Sequence, residues 1–494
     1  MKRNKFNLSH HHLTTCDMGK LIPIGCVEAL PGDTIRHHTN VLVRVSPLAA
    51  PVMHPVTARV HHFFVPNRGT WNKKDWFGEA DDSNGSWEDF ITGGADGLNN
   101  SKPPTITTTT TAGDLQDHLG LPRVAGVAIN AMPIRAINAA FNEYYRDADL
   151  VTKRLADDLT VPNIAWEKDY FTSARPFSQK GSEVTLPVGG QAPIAHGETV
   201  NGTPISVLAP AIGSAEYALN SGGGLLGAST TTITGEALYA DLSAATGASI
   251  NDVRRAFAIQ RYQEARSRYG SRYTEYLRYL APGLTPSDAR LQRPEFLGGG
   301  KVQINFSEIL QSSPNTGQLP ANDYGVGDMY GHGIAAMRSN AYQRFIEEHG
   351  YIVTFLSVRP KTMYQNGIHR SYLRDSKEDW FQRELQYIGQ QEIFNAEIWA
   401  AADGSEKETF GYNDRYSDYR EVPSLVSNEF RDVLNYWHMA RDFATAPSLN
   451  SDFIECDATK RIHNVQQESA LWVMAQHKMV ARRIVASNPA PRVM

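Results

Sequence analysis

The sequence predicts a mainly β protein, a β-sandwich carrying large helical and loop insertions. Three observations lead there. Segments of β-branched, alternating character lie near both chain ends, helical periodicity is confined to the middle, and the composition is that of a globular chain.

The early strands come first. Residues 34–45 are rich in β-branched side chains and stop before Pro47. Residues 56–65 put Val56, Ala58, Val60, His62 and Phe64 on one face and Thr57, Arg59, His61, Phe63 and Val65 on the other. Both faces turn apolar near the end, as a strand covered on two sides requires. Residues 351–358 form a buried-type strand ending at Arg359-Pro360. From 471 to 484, Leu471, Val473, Ala475, His477 and Met479 alternate with Trp472, Met474, Gln476, Lys478 and Val480.

Helices fall between. Residues 130–147 show helical spacing of Ile137, Phe141, Tyr144 and Tyr145 after Pro133. Asp252 is placed to cap a helix from Val253 to about Arg268. Gly270 interrupts it, and a second helical run ends near Leu280, before Pro282. Residues 105–111, almost all threonine, read as an exposed loop or an edge strand. Residues 189–249 are dominated by Gly, Ala, Ser and Thr and can bury little apolar area of their own. They read as an ordered surface insertion within a single domain spanning 1–494.

Bulk properties exclude several classes. Among 494 residues, 41% are hydrophobic and 20% charged, so the chain is not a disordered one. The 48 basic and 53 acidic residues give a net charge of −5, so any nucleic-acid contact must come from local patches. Cys16, Cys26 and Cys456 are too few for a disulfide framework and read as buried free thiols. No apolar run is long enough to cross a bilayer, and we expect no membrane insertion. The N-terminal MKRNKFNLSHHH is basic without an apolar core, so no secretion signal is expected.

Motifs of chemistry fail on context. Gly222–Gly227 fits G-x-G-x-x-G, yet no strand precedes it and no helix opens after it. Gly298-Gly299-Gly300-Lys301 lacks the spacing of a phosphate loop and reads as a turn. Histidines at 10–12, 37–38 and 61–62 lack matching Cys or carboxylate ligands and read as packing, hydrogen-bonding side chains. Glu347-Glu348-His349 before Gly350 reads as a polar helix end. No nucleophile elbow or zinc helix is present, so neither catalysis nor a cofactor is expected.

Two places suit polyanions or subunit contacts. Lys2, Arg3 and Lys5 in the N-terminal arm can neutralise phosphates. Arg254, Arg255, Arg261, Tyr262, Arg266, Arg268, Arg272 and Tyr273 interleave guanidinium and phenol groups. Such residues bind phosphates and stacked bases. They are also the residues enriched at protein interfaces, and the interface reading is favoured.

Longer strings carry a resemblance: TTCDMGKLIPI at 14–24, LPGDT at 30–34, FFVPNR at 63–68 and PIRAINAAFNEYYRD at 133–147. DYFTSARPFSQKG at 169–181, RYTEYL at 272–277 and SDARLQRPEFLGGG at 287–300 continue the series. EHGYIVTFLSVRP at 348–360, FGYNDRYSDYR at 410–420 and WHMARDF at 437–443 complete it. In this order they resemble the major capsid proteins of the Microviridae, especially the gokushovirus branch. The resemblance implies an eight-stranded antiparallel jelly-roll β-sandwich, assembled as a T=1 icosahedral shell around circular single-stranded DNA. It implies that 189–249 is the family's variable insertion, a threefold protrusion that meets a bacterial surface receptor. It also implies a small basic DNA-binding protein, an internal scaffolding protein and a DNA pilot protein as partners, and assembly in the host cytoplasm. A carbohydrate-binding, lectin-like sandwich is the rival, and it would need a secretion signal. A metal-dependent cupin would need a ligand constellation.

Overall fold

The computed structural model describes residues 3–81, 85–93, 101–182, 184, 194–200, 203–206, 239–240, 250–282, 285–310, 329–402 and 404–487. They divide into two compact units, Gln179–Arg268 and the remainder of the chain.

Two antiparallel sheets dominate the larger unit. One is seven-stranded: β1 (Asn4–Asn7), β2 (His10–Cys16), β4 (Thr34–Val45), β7 (Asn305–Leu310), β8 (Met329–Arg338), β9 (Tyr342–Phe345) and β11 (Leu471–Arg483). The other is four-stranded: β3 (Leu21–Ala29), β5 (Val56–Pro66), β6 (Glu295–Gln303) and β10 (Gly350–Pro360). In the first, β1 and β2 share one edge of β11, β11 pairs with β4, β4 with β8 and β9, and β8 with β7. The second runs β6-β5-β10-β3. Neighbours in the sheets lie far apart in sequence, as in the pairing Leu471 to Val45.

Period-two patterning places the core. Val41, Val43, Val45, Val473 and Ala475 point inward from the large sheet. They meet Ile22, Ile24, Val56, Ala58, Val60, Leu356 and Val358 from the small one. Burying one such side chain is worth roughly 1.5–3 kcal/mol. A second compartment joins Ile35, Met479 and Ala481 to Ala29, Phe64 and Ile352. The far face of the small sheet is covered in turn. Leu21, Phe63, Val65, Val353 and Phe355 pack on Ile134, Ile137, Ala140 and Phe141 of α1 (Met132–Tyr144). That cover explains why both faces of β5 become apolar near its end.

Between the two compartments runs a polar belt. His37, Thr39 and His477 enter it from the large sheet, His62 and Thr354 from the small one, and all five are buried. His477 Nε2 lies 2.8 Å from the Ile24 carbonyl, which only accepts, so this nitrogen carries the proton. His477 Nδ1 then accepts from His37 Nε2 at 3.1 Å, and His37 Nδ1 accepts from the Tyr342 hydroxyl at 3.0 Å. His62 spans Thr354 and Ser339, both at 3.0 Å. Neutral rings satisfy every one of these bonds. Burial, reinforced by neighbouring histidines, pushes His37 down to about 2 and His62 to about 3; burial pushes His477 to about 4. Gly25 makes room for the belt: a Cβ there would stand 2.7 Å from His477 Cε1.

Several sequence expectations need correction. Gly298–Gly300 is no turn but part of β6, with a bulge between Phe296 and Gly298. A Cβ at Gly299 would meet the Val60 carbonyl at 2.3 Å, so glycine serves close strand approach. Glu347–His349 ends no helix. It links β9 to β10, and Glu348 pairs with Arg68 at 2.8 Å. Of the two readings of the threonine run, Thr105–Thr107 takes the strand, paired with Ala128–Asn130. Cys16 and Cys456 are buried free thiols, whereas Cys26 is only half-buried.

In the smaller unit, Ile194–Val200 pairs on either side with Thr203–Ser206 and Tyr239–Ala240. Helix α2 (Ile250–Tyr269) begins before Asp252, which therefore lies in its first turn and does not cap it. The rest of 189–249, Gly222–Gly227 included, lies outside the described residues.

Two outcomes follow from the belt. The unfolded chain protonates its histidines near pH 6.5 while the folded belt stays neutral, so stability must fall as pH drops below that value. Unfolding free energy is expected to decline from pH 6.5 to 5, by up to about 1.4 kcal/mol per pH unit for each belt histidine, and the melting temperature with it. His62→Gln should flatten that slope; an unchanged slope would contradict a neutral belt. Gly25→Ala should cost about 1–3 kcal/mol through overpacking against His477, read from a urea titration.

Candidate assembly and nucleic-acid interfaces

Helix α1 organises the outer layer. Pro133 opens it, where a missing N–H costs nothing. Arg135, 2% exposed, anchors it by donating to Asp157 at 2.8 Å and to the Trp71 carbonyl at 2.7 Å.

Segments distant in sequence converge on the C-terminal end of α1. Arg272 caps α3 (Tyr273–Leu280) and donates to the carbonyls of Asn142, at 3.1 Å, and Arg146. Its own N–H is accepted by Glu275 at 3.0 Å. Arg293 joins Glu143 at 2.6 Å to Asp288 at 2.7 Å and lies over the Tyr144 ring. Asp147 accepts from Lys168 at 2.7 Å and Arg175 at 3.1 Å. Burial would raise the Asp147 pKa, but the Lys168 and Arg175 charges outweigh it and hold the carboxyl at about 2. A groove of about 200 Å³ remains, lined among others by Asp149, Lys168, Arg175 and Arg272. These charges hold segments together. Four of the strings that carry the capsid resemblance meet here: 133–147, 169–181, 272–277 and 287–300.

The arginine and tyrosine side chains singled out in the sequence are divided between the units. Arg254, Arg255, Arg261, Tyr262 and Arg268 lie exposed on α2, and the half-buried Arg266 sits 5.5 Å over the Tyr262 ring. Arg272 and Tyr273 belong to the larger unit. Arg272 is committed to α1, while Tyr273 is exposed and stacks near Tyr276. Tyr269 stacks on Tyr279 at 4.4 Å, so part of the tyrosine set packs internally.

In the N-terminal arm, Lys2 lies outside the described residues. Arg3 donates to the Gly32 carbonyl and Thr34 Oγ1, both at 3.0 Å, and lies over Phe345. Lys5 is exposed on β1, opposite Arg482. Sequence reasoning did not group Lys5 with the cations of β4, β8 and β11 on the same sheet face. Alternation marks each strand's two faces, but only the pairing aligns them.

Among the described residues, no three His, Cys, Asp or Glu side chains gather as metal ligands. No helix among them is long and apolar enough to cross a membrane.

The larger unit is a two-sheet antiparallel body with paired charges tying its loops and helices down. Residues 1–486 match the family described as capsid protein (F protein). The chain is 33% identical over 486 residues to capsid protein VP1 of Bdellovibrio phage phiMH2K, covering 92% of this chain and 88% of that one. It is 30% identical over 503 residues to capsid protein VP1 of Spiroplasma virus 4, covering 92% and 88%. For capsid protein VP1 of Chlamydia phage 1 the identity is 29% over 557 residues, covering 92% and 89%. The chain belongs to this capsid-protein family of the Microviridae. Membership implies a structural role within a multi-subunit virion shell.

Arg272→Ala should cost about 2 kcal/mol by stranding the α1 carbonyls, and should hasten proteolysis within 269–282. Arg254→Ala with Arg255→Ala should change stability by less than about 0.5 kcal/mol. Equal effects on thermal unfolding would sink the distinction.

Proposed function

We propose that this chain self-assembles into a T=1 icosahedral shell that encloses a circular single-stranded DNA genome. Capsid-family membership over nearly the whole chain carries this reading. The fold proposed with it is the eight-stranded jelly roll. Counting β2, β3, β4, β5, β6, β8, β10 and β11 as first to eighth, the sheet orders are first-eighth-third-sixth and second-seventh-fourth-fifth. That order supports two interlocked Greek keys, with β1, β7 and β9 as additions.

Assembly would proceed by burial of complementary surfaces repeated under closed symmetry. The exposed Arg254, Arg255, Arg261 and Tyr262 of α2 suit such contacts, since Arg and Tyr dominate interface energetics. The N-terminal arm, with Lys2, Arg3 and Lys5, would face the interior. Residues 189–249 would form a surface insertion of the single capsid domain, at the threefold axis, for host attachment. A small basic DNA-binding protein, an internal scaffolding protein and a DNA pilot protein complete the proposed set of partners, with assembly in the host cytoplasm.

Electron microscopy of the chain expressed with its phage partners tests the reading. Closed uniform shells are expected, and a persistently monomeric protein would refute it. Replacing 189–249 with a short linker should leave subunits folded while reducing host attachment. Normal infection by that variant would remove the attachment role.

A further inference from the structure

Helix α2 has no cover among the described residues. Ser267 is its one buried side chain over Ile250–Tyr269. Helices in folded proteins draw most of their stability from packing an apolar face against a neighbour. Such a face exists here. At about 3.6 residues per turn, Ile250, Arg254, Phe257 and Arg261 line up along one side of the helix. Ile250 is 73% and Phe257 64% exposed, and both arginines are exposed beside them. No described carboxylate pairs with Arg254 or Arg261. The ridge from Ile250 to Arg261 runs about 17 Å.

The opposite charge, with the same apolar character, lies on the 421–433 segment of the larger unit. Val422, Leu425 and Val433 are 76%, 64% and 71% exposed. Glu421, Glu429 and Asp432 are exposed with them, and no described cation pairs with any of the three. Arg431, the segment's one cation, donates its Nε–H to the Val426 carbonyl at 2.9 Å. The backbone is fastened as well. The Tyr364 N–H donates to the Ser424 carbonyl at 3.0 Å, and the Tyr364 carbonyl accepts from the Val426 N–H at 3.2 Å. The aliphatic groups are thus held in water by a pinned chain.

We infer that α2 of one copy docks on the 421–433 segment of a second copy, as one of the contacts that close the shell. The inference rests on the shell reading above and names what the α2 arginines meet. Two guanidinium groups flanking two apolar side chains answer three carboxylates set among three aliphatic ones. Charge complementarity also fixes the kind of contact. Helix α2 against its own copy sets arginine on arginine, and 421–433 against its own copy sets carboxylate on carboxylate, both of which repel. The contact is therefore heterologous, the kind that builds rings when its rotation closes. A polyanion would satisfy the arginines but leave Ile250 and Phe257 in water. A ridge this short is the centre of a larger interface, where arginine and aromatic side chains carry most of the binding energy.

Charge reversal in the full-length chain, expressed with its phage partners, tests this. R254E/R261E should lower the yield of closed shells at least about tenfold while subunit melting stays unchanged. E421K/E429K/D432K should do the same, and both sets in one chain should restore the yield to within about threefold of the parent. R255E, on the flank of α2 away from the ridge, should assemble like the parent. Parent-like assembly by either reversed variant, no rescue by the folded combination, or an equal loss in R255E would overturn the inference. If the combination does not fold, R254K/R261K decides. It keeps the charge and supplies amines for carbodiimide crosslinking in a mixture of heavy-isotope-labelled and unlabelled subunits, dissociated and reassociated together. Links from positions 254 or 261 to Glu421, Glu429 or Asp432 that join heavy to light chains support the contact. Links within one chain only, or to another phage protein only, sink it. Microscopy of the same mixture separates the two readings. Shells without heavy-to-light links refute the contact alone; such links in subunits that never close refute the shell alone.

Discussion

Neutral histidines held between two sheets are the constraint on which the rest of the molecule depends. A polar ring in a sandwich core is tolerated only with its hydrogen bonds made. Those of His37, His62 and His477 come from Tyr342, Thr354, Ser339 and the Ile24 carbonyl. These partners draw on β3, β4, β5, β9, β10, β11 and the end of β8. A slip of one residue in any of them would turn a histidine outward and leave a buried partner unsatisfied. The valine-rich compartments on either side supply the burial energy, but many registers could bury valine. The belt selects one, and Gly25 is small because the belt passes over it.

With the register fixed, the outer faces take different fates. Arg135 and Arg272 fasten α1 and α3 over the small sheet through backbone carbonyls, and Arg175 and Arg293 tie neighbouring loops through carboxylates. Charge on that side is consumed by internal pairing. On the large sheet it is not: among the described residues, the cations of β4 and β11 that face away from the core have no carboxylate partner. A shell subunit needs both kinds of surface, one that stiffens it and one left for a partner.

The sequence revealed much of the frame. The β-branched content of 34–45 marked a strand, alternation in 471–484 separated the two faces that the structure shows as buried and exposed, and the helices near 132–144 and 273–280 followed from period and punctuation. It missed β3, where Pro23 and Gly25 mask the pattern, and β6, where three glycines read as a turn. Both are edge strands, held as strands by pairing along one side, β3 with β10 and β6 with β5, and local propensity is overridden. The role of Arg272 was also hidden, since its partners, the carbonyls of Asn142 and Arg146, leave no trace in composition.

By itself, then, the sequence determined the β character, the two faces of each alternating strand, the absence of a catalytic motif and, through its longer strings, the family. Those properties are local or linear: side-chain period follows from backbone geometry, and strings are read in order. The tertiary structure decided which strands are neighbours, which histidines share protons and which sheet face stays bare. Each of these depends on residues hundreds of positions apart being brought within a few ångströms, as in His37 against His477. Lys5, Arg36, Arg338 and Lys478 are scattered cations in the chain. They become one surface only because antiparallel pairing puts alternate residues of separate strands on the same side.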